Sequence, residues 1–449
     1  MTFDLARWQA RLDELRAAHH VPGAALAVLA DGEIHELAGG VLHRGTGVAV
    51  TPDSVFQSGS IAKVYTATLV MQLVDAGLLG LDTAVSDVLP ESGVSATVRQ
   101  LLSHTGGIAA DFMLDTGRGD DCLARYVDAC ADVGLDCPPG MVASYCSTGY
   151  NVLGRVVEVL TGLTWDAALE ERLLTPLGLS HSMTLPEEAL RFRVAMGHMG
   201  ELGSEPEPAP VWDFLPRAAG PSGRVLFTAA DAVHFARMHL HGGTAPDGTR
   251  VLSAESVAAM QKHAVDTPDR WSFGTDGWGL GWALYDWGGV RGYGHDGSSI
   301  SQFSYLRVVP EAGVAAVLLT NGGGTQQLCT ALFRELLGEL TGARLPDTFR
   351  PPERPVAVDI GRWVGRYERE GVILTVSDDD GVARARFEPT GAMAEFSPPL
   401  DLDLVPVTET LFAAPGQGVV NAEWIPVTFT ELPDGTEGVY FGMRIALKR

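Results

Sequence analysis

Lysine is nearly absent from this chain of 449 residues: Lys63, Lys262 and Lys448 stand against twenty-nine arginines. Basic charge as a whole is short, with 32 Lys and Arg facing 56 Asp and Glu and a formal net charge of -24. Affinity for nucleic acid and for anionic membrane surfaces rests on cationic contacts, so neither partner is expected. Long apolar runs are missing too, and a run such as Val314 to Leu319 is far too short to cross a bilayer. Met1 to His20 lacks a basic start followed by an apolar stretch, so no secretory signal is read there and a cytoplasmic location is expected. Cysteine is sparse: Cys122, Cys130, Cys137, Cys146 and Cys329 are odd in number and form no C-x-x-C pair, which argues against a disulfide framework and a zinc knuckle. His239-x-His241 has no third ligand in view, so no metal and no cofactor are expected.

What is present reads as globular, with 46% hydrophobic residues and a length that suits one large domain plus a smaller one. Leu5, Trp8, Leu12 and Leu15 fall on one helical stripe. Gly23 to Leu29 and Glu33 to Ala38 read as strands joined by the hairpin signal Asp31-Gly32. Ile61, Val64, Ala67, Val70, Met71 and Val74 mark a helix that Gly77 ends. Residues 81 to 180 read as mostly helical, with Thr97 as a cap, His104 as a structural histidine at a helix end, and Asp111 to Pro139 as a loop excursion. A helix carrying Leu153, Val156, Val157 and Leu160 follows, then a surface loop from Glu201 to Pro216 and a helix from Asp231 to Leu240. Trp271, Trp278, Trp282 and Trp287 read as core aromatics of which one or two line a pocket. Gly292 to Gly297 spells G-x-G-x-x-G, but the following Ser301 to Val309 reads as a strand where a dinucleotide fingerprint must open a helix, so that reading is rejected. Phe303 to Val308 and Val314 to Thr320 read as neighbouring strands, and Gln326 to Leu340 as a closing helix. The expected organisation is a catalytic domain over 1–345, a Pro-rich linker over 346–357 and a small all-β barrel or sandwich over 358–449, its strands separated by Asp379-Asp380-Gly381, Pro415-Gly416 and Asp434-Gly435.

The chemistry centres on Ser60 and Lys63. Residues three apart share a helix face, so the hydroxyl and the amine can approach each other. Serine is a poor nucleophile at neutral pH unless a neighbour takes its proton, and lysine does so only when burial or nearby charge lowers its pKa. The serine would also sit at a helix start, where free N–H groups favour developing negative charge. Taken alone, Ser-x-x-Lys is a weak signal.

Two further motifs follow in order: Tyr145-Cys146-Ser147 and His295-Asp296-Gly297. With Ser60-Ile61-Ala62-Lys63, Leu101-Leu102-Ser103-His104-Thr105-Gly106-Gly107, Pro176-Leu177-Gly178-Leu179 and Leu319-Thr320-Asn321, the chain resembles the serine β-lactamase and penicillin-binding-protein (DD-peptidase) superfamily, class C-like, over roughly residues 10 to 340. The resemblance implies an α/β (α+β) domain, a mixed sheet beside a helical lobe with the serine between them, followed here by a lipocalin-like β domain. It implies Ser60 as nucleophile, Lys63 as base, Tyr145 as proton shuttle and His295 in the place of the third-motif lysine. The oxyanion hole would be the backbone N–H groups of Ser60 and Ser298, with Ser147, Asn151, Gly297 and Arg444 as substrate-binding candidates. Ser147 departs from the family's Asn; its hydroxyl reaches less far, which leaves the lysine's positioning to other groups.

The fold leaves the reaction open. One reading resembles the stand-alone penicillin-binding-protein-type thioesterases, which take a peptide from a carrier-protein thioester onto serine and let its own amine close a macrocycle; a peptidyl thioester and a peptidyl carrier protein are the partners implied. The other is a cytoplasmic serine hydrolase, an esterase, amidase or D-amino-acid peptidase, in which water resolves the acyl-enzyme. A non-catalytic binding protein is the third.

Overall fold

The computed structural model describes residues 3–391, 394, 398–416 and 422–449. The amino-terminal hairpin and the strands near residue 300 meet in one sheet of eight strands, in the order Val48–Ala49, Glu33–His43, Gly23–Ala30, Val314–Thr320, Phe303–Val309, Arg291–Ser298, Ala283–Asp286 and Gly277–Trp278. Gly23–Ala30 and Val314–Thr320 are buried at every position, and the period of two divides their side chains between two cores. Ala24, Leu26 and Val28 join Trp8, Leu12 and Leu15 of the first helix and Leu332, Phe333 and Leu336 of the helix Thr325–Thr341. Ala25, Ala27 and Leu29 join the other face, against Val233 and Phe235 of the helix Ala229–Leu240 and the helical lobe beyond. The Asp31-Gly32 turn has φ of 51° and 82°, the two positive values a type I′ hairpin requires.

Each strand pairing in this sheet runs antiparallel, because neighbours are joined by short turns or return from the far end of the domain. Parallel pairing among the described residues occurs at the isolated bridges Val55–Val194 and His198–Gly322.

Helix Ala62–Asp75 runs through the middle of the lobe, with eleven of its fourteen residues buried. That burial explains its apolar composition on all sides. Thr97 forms the expected cap: its hydroxyl accepts from Gln100 N, and Gln100 Oε1 accepts from Thr97 N at 2.9 Å. The Asp111 to Pro139 excursion departs from expectation by containing a helix, Cys122–Cys130. Its buried face is Cys122, Leu123, Tyr126, Val127 and Cys130, a helical stripe visible only when cysteine is counted as a small apolar residue. His239 and His241 do not converge: His239 is buried against Trp282 and hydrogen-bonded to Thr68, while His241 is exposed.

No helix or strand is present from Gly342 to Asp359. Beyond it, nine strands between Gly365 and Lys448 form a nearly closed antiparallel barrel around Trp363, Tyr367, Phe412 and Phe429. Its two end strands, Leu400–Asp403 and Val405–Pro406, are separated by Leu404 alone. The connection after Pro415-Gly416, residues 417–421, lies outside the described residues.

Candidate active site

Ser60 sits in the single turn Gly59–Ile61 that opens the central helix, partly exposed where its neighbours are buried. Lys63 follows one turn later and is 1% exposed, the only cation in that helix. Its amine lies 3.1 Å from Ser60 Oγ and donates to the Ser222 carbonyl at 2.7 Å. Burial, and then the positive charge of Arg444, push the Lys63 pKa down to about 7, against the opposing pull of Asp111. A fall of that size from the usual lysine value represents about 5 kcal/mol against the ammonium form, several times a typical net hydrogen bond. The amine is therefore available as a proton acceptor at neutral pH.

Strand Arg291–Ser298 supplies the opposite wall. Its pairing with Ala283–Asp286 stops at Gly294, so His295 to Ser298 have a strand neighbour on one side. Ser299 N donates to Gln302 O at 2.9 Å, which makes 299/302 a hydrogen-bonded pair and, by alternation, 298/303 a non-bonded one. The Ser298 N–H therefore points away from its neighbour, towards Gly59, where an added Cβ would lie 2.4 Å from Ser298 N and O. Ser60 occupies the first turn of its helix, so its N–H has no intrahelical carbonyl. The two amides form a pair of donors beside the Ser60 hydroxyl, the arrangement of an oxyanion hole.

Tyr145 and His295 close the group. The Tyr145 ring lies 4.8 Å from the Lys63 amine, and its buried hydroxyl has no hydrogen-bond partner among the described residues. Burial raises its pKa, while the facing Ser60 hydroxyl and Arg444 oppose the rise. His295 is pushed down to about 3 by burial and then by Lys63, so it is neutral. Its Nδ1–H donates to the Asp296 carbonyl at 2.6 Å, which leaves Nε2 as a buried acceptor without a partner among the described residues. The ring centroids of Tyr145 and His295 are 6.1 Å apart.

The barrel reaches this group through the tip of its last hairpin. Met443 O accepts from Tyr145 N at 3.0 Å, and Tyr440 Oη donates to Ala143 O at 2.9 Å. Arg444 lies over the Tyr145 ring at 5.2 Å and donates to Asp111 Oδ1 at 2.8 Å. Arg369, from a second barrel turn, stands 3.9 Å from the same carboxylate. Burial alone would raise the Asp111 pKa; Arg444 and Arg369 hold it below the usual carboxylate range.

Residues 8–338 match the family model described as beta-lactamase. The chain belongs to the β-lactamase family. Penicillin-binding protein 4 of Amycolatopsis lactamdurans is 70% identical over 378 residues, 83% of this chain and 99% of that protein. The crystal structure of SurE superposes with a TM-score of 0.80 at 32% identity, covering 99% of each chain. The D-amino acid amidase of Ochrobactrum anthropi SV3 shares the fold, with a TM-score of 0.63 at 23% identity over 75% of this chain and 99% of that one. The protein is thus a serine enzyme of the β-lactamase and penicillin-binding-protein fold.

Within this β-lactamase fold, Ser147 and Asn151 share one helix. Ser147 opens the helix Ser147–Thr161 and is not among the hydrogen-bond partners of Lys63, whose hold comes from the Ser222 carbonyl. Asn151, one turn further, is buried beside Tyr126, whose hydroxyl it influences, so its neighbour is the lobe interior. Gly297 acts by its lack of a side chain: a Cβ there would fall 1.9 Å from Ser58 O. Of the four tryptophans, Trp278 alone reaches the group, edge-on to His104, Tyr145 and His295. Trp282 packs on Tyr293 and Trp287 on Tyr285 in the core, and Trp271 on Phe349 of the connecting segment. Motif reading missed Ser222, Asp111, Arg369 and Met443; two of these act through backbone carbonyls, which leave no residue signature. A cavity of about 280 Å³ lined by Trp271, Tyr285, Arg307 and Trp424 lies elsewhere, at the side chain of Asp296, whose alternation places it opposite His295 and Gly297.

Proposed function

We propose that the protein is a penicillin-binding-protein-type thioesterase that releases a peptide from a carrier-protein thioester and closes it into a macrocycle. The observation that carries this reading is the barrel hairpin, which brings Arg444 and Met443 to Tyr145; plain hydrolysis at Ser60 needs no such second domain. In acylation Ser60 Oγ bonds to the thioester carbonyl as its proton passes to Lys63, the carbon–sulfur bond breaks, and Tyr145 relays the proton to the leaving thiolate. The amide N–H groups of Ser60 and Ser298 hold the oxyanion, and the neutral His295 ring stands 6.1 Å from the Tyr145 ring. The peptide's own amine then attacks, its proton returns to Ser60 Oγ, and the ester bond breaks. Tethering raises the effective concentration of that amine over water. The likeness to SurE through both domains supports a thioesterase-type function, and a SurE structure solved with D-Leu supports a D-configured residue at the carboxy terminus of the acyl group.

A second reading, a serine hydrolase acting on esters, amides or D-amino-acid peptides, is favoured by the 70% identical relative named as a penicillin-binding protein. Peptidyl thioesters ending in D- or L-residues separate the two by product mass: cyclic product supports the cyclase, and free acid alone replaces it with the hydrolase. No turnover together with no labelling of Ser60 by a fluorophosphonate would leave a binding protein. Arg444→Ala is expected to lower the ratio of cyclic to hydrolysed product about tenfold, measured near pH 9 so that Lys63 is neutral in both proteins. An unchanged ratio with unchanged turnover would remove Arg444 from the acceptor site.

A further inference from the structure

His104 lies behind Tyr145 and contacts three consecutive residues, Ser144, Tyr145 and Cys146. Its carbonyl accepts from Ser144 N at 2.8 Å and its Nδ1 accepts from Cys146 N at 3.0 Å, so one residue holds the amides on both sides of Tyr145. Its ring lies against the Tyr145 ring, centroids 4.3 Å apart and planes tilted by 33°, and Trp278 stands edge-on to both at 4.9 and 5.8 Å. The residue is 1% exposed and takes a left-handed backbone, φ 59°, which is uncommon for a side chain of this size. Because Nδ1 accepts, the proton of the neutral ring is on Nε2, a buried donor without a partner among the described residues. Burial, then Lys63, His295 and Arg444, oppose the imidazolium, which would lose the Cys146 bond.

We propose that His104 is a positioning residue for the Tyr145 hydroxyl, acting by clamping the backbone on both sides of Tyr145 and by backing its ring. It rests on the acyl-transfer reading of Ser60 but not on which acceptor resolves the acyl-enzyme. The left-handed backbone is the cost of bringing carbonyl and ring to one neighbour.

The test uses the full-length protein and the maximal rate of Ser60 labelling by a fluorophosphonate, counted per labelled site. His104→Ala is expected to lower that rate about tenfold to a hundredfold with little change in the half-saturating concentration, as for displacement of a reacting group by a fraction of an ångström to one ångström. His104→Asn tolerates the left-handed backbone and places an amide oxygen where Nδ1 lies, so it is expected to recover most of the loss. In a Tyr145→Phe background, His104→Ala should cost less than about twofold, because the hydroxyl it serves is gone. Full per-site rate in His104→Ala, or the same fold loss in both backgrounds, would overturn the proposal and leave a core histidine. If His104→Ala does not fold, His104→Gly, which takes the left-handed backbone freely and also lacks the ring, carries the same comparison alone and combined with Tyr145→Phe: the same fold loss in both backgrounds overturns it. Failure of the wild type to label at Ser60 would instead sink the acyl-transfer reading and this inference with it.

Discussion

Replacing Lys63 by arginine is expected to slow acylation of Ser60 by a thousandfold or more, about the loss seen when an activating base is removed from a serine nucleophile. Arginine keeps the positive charge but stays protonated, so it cannot accept the hydroxyl proton. In the wild type the acylation rate, followed with a β-lactam or fluorophosphonate, should rise with pH and level off above an inflection near 7, where Lys63 becomes neutral. A profile flat from pH 5 to 9 would sink the assignment of Lys63 as base. Neighbouring charges give the sign of two shifts. Arg444 lowers the Lys63 pKa, so Arg444→Gln should move the inflection up; Asp111 raises it, so Asp111→Asn should move it down.

The same burial makes Lys63 a stability defect. The folded protein binds its proton less tightly than the unfolded chain, so the defect is full below about pH 7 and fades as pH rises towards the ordinary lysine value. Lys63→Met should therefore melt above the wild type at pH 6, and the gap should close between pH 7 and 10. A gap independent of pH would show that packing, not charge, is responsible.

Local features of the chain were legible in proportion to how local they are. The Asp31-Gly32 and Asp379-Asp380-Gly381 signals became turns with successive positive φ values, since aspartate and glycine tolerate that backbone better than branched residues. Ser60 and Lys63 could be paired from spacing alone because a helix turn puts them on one face. Asp111 and Arg444 are 333 residues apart and meet only because the barrel folds back onto the lobe. Nothing in the pattern around Asp111 announces a carboxylate held by two arginines. Ser222 is harder still, as its contribution is a carbonyl that any residue in that turn would offer. His104 reads as a helix-end histidine, which describes its backbone but is silent about its ring, because the contact with Tyr145 depends on how two loops cross. The cysteine-bearing helix Cys122–Cys130 was hidden by residue type: its stripe is apolar in packing and polar by name.

Removing the Ser298 N–H should cost about a hundredfold or more in turnover, the loss typical of one oxyanion donor. Ser298→Pro does this without breaking a ladder hydrogen bond, because that N–H faces the cleft and not the neighbouring strand, although its ring carbon enters the close contact with Gly59 and costs some stability. Ser298→Ala keeps the amide and changes the side chain only, so it should lose far less. Equal rates in the two variants would show that the amide does not touch the developing oxyanion. Gly297→Ala probes the same wall by a different force. Its Cβ would meet Ser58 O at 1.9 Å and Ser60 N at 2.8 Å, both backbone atoms that cannot swing aside as a side-chain end would. The strand and the nucleophile turn must then part, which separates the two donors and loosens the contact between sheet and lobe together. Gly297→Ala is therefore expected to lose both turnover and melting temperature, whereas Ser298→Pro should lose turnover in greater proportion than stability. Gly59 is constrained twice, by a φ of 53° and by a Cβ that would lie 2.4 Å from Ser298 N and O. The close approach that makes the two amides a pair thus depends on glycine on both sides of the contact.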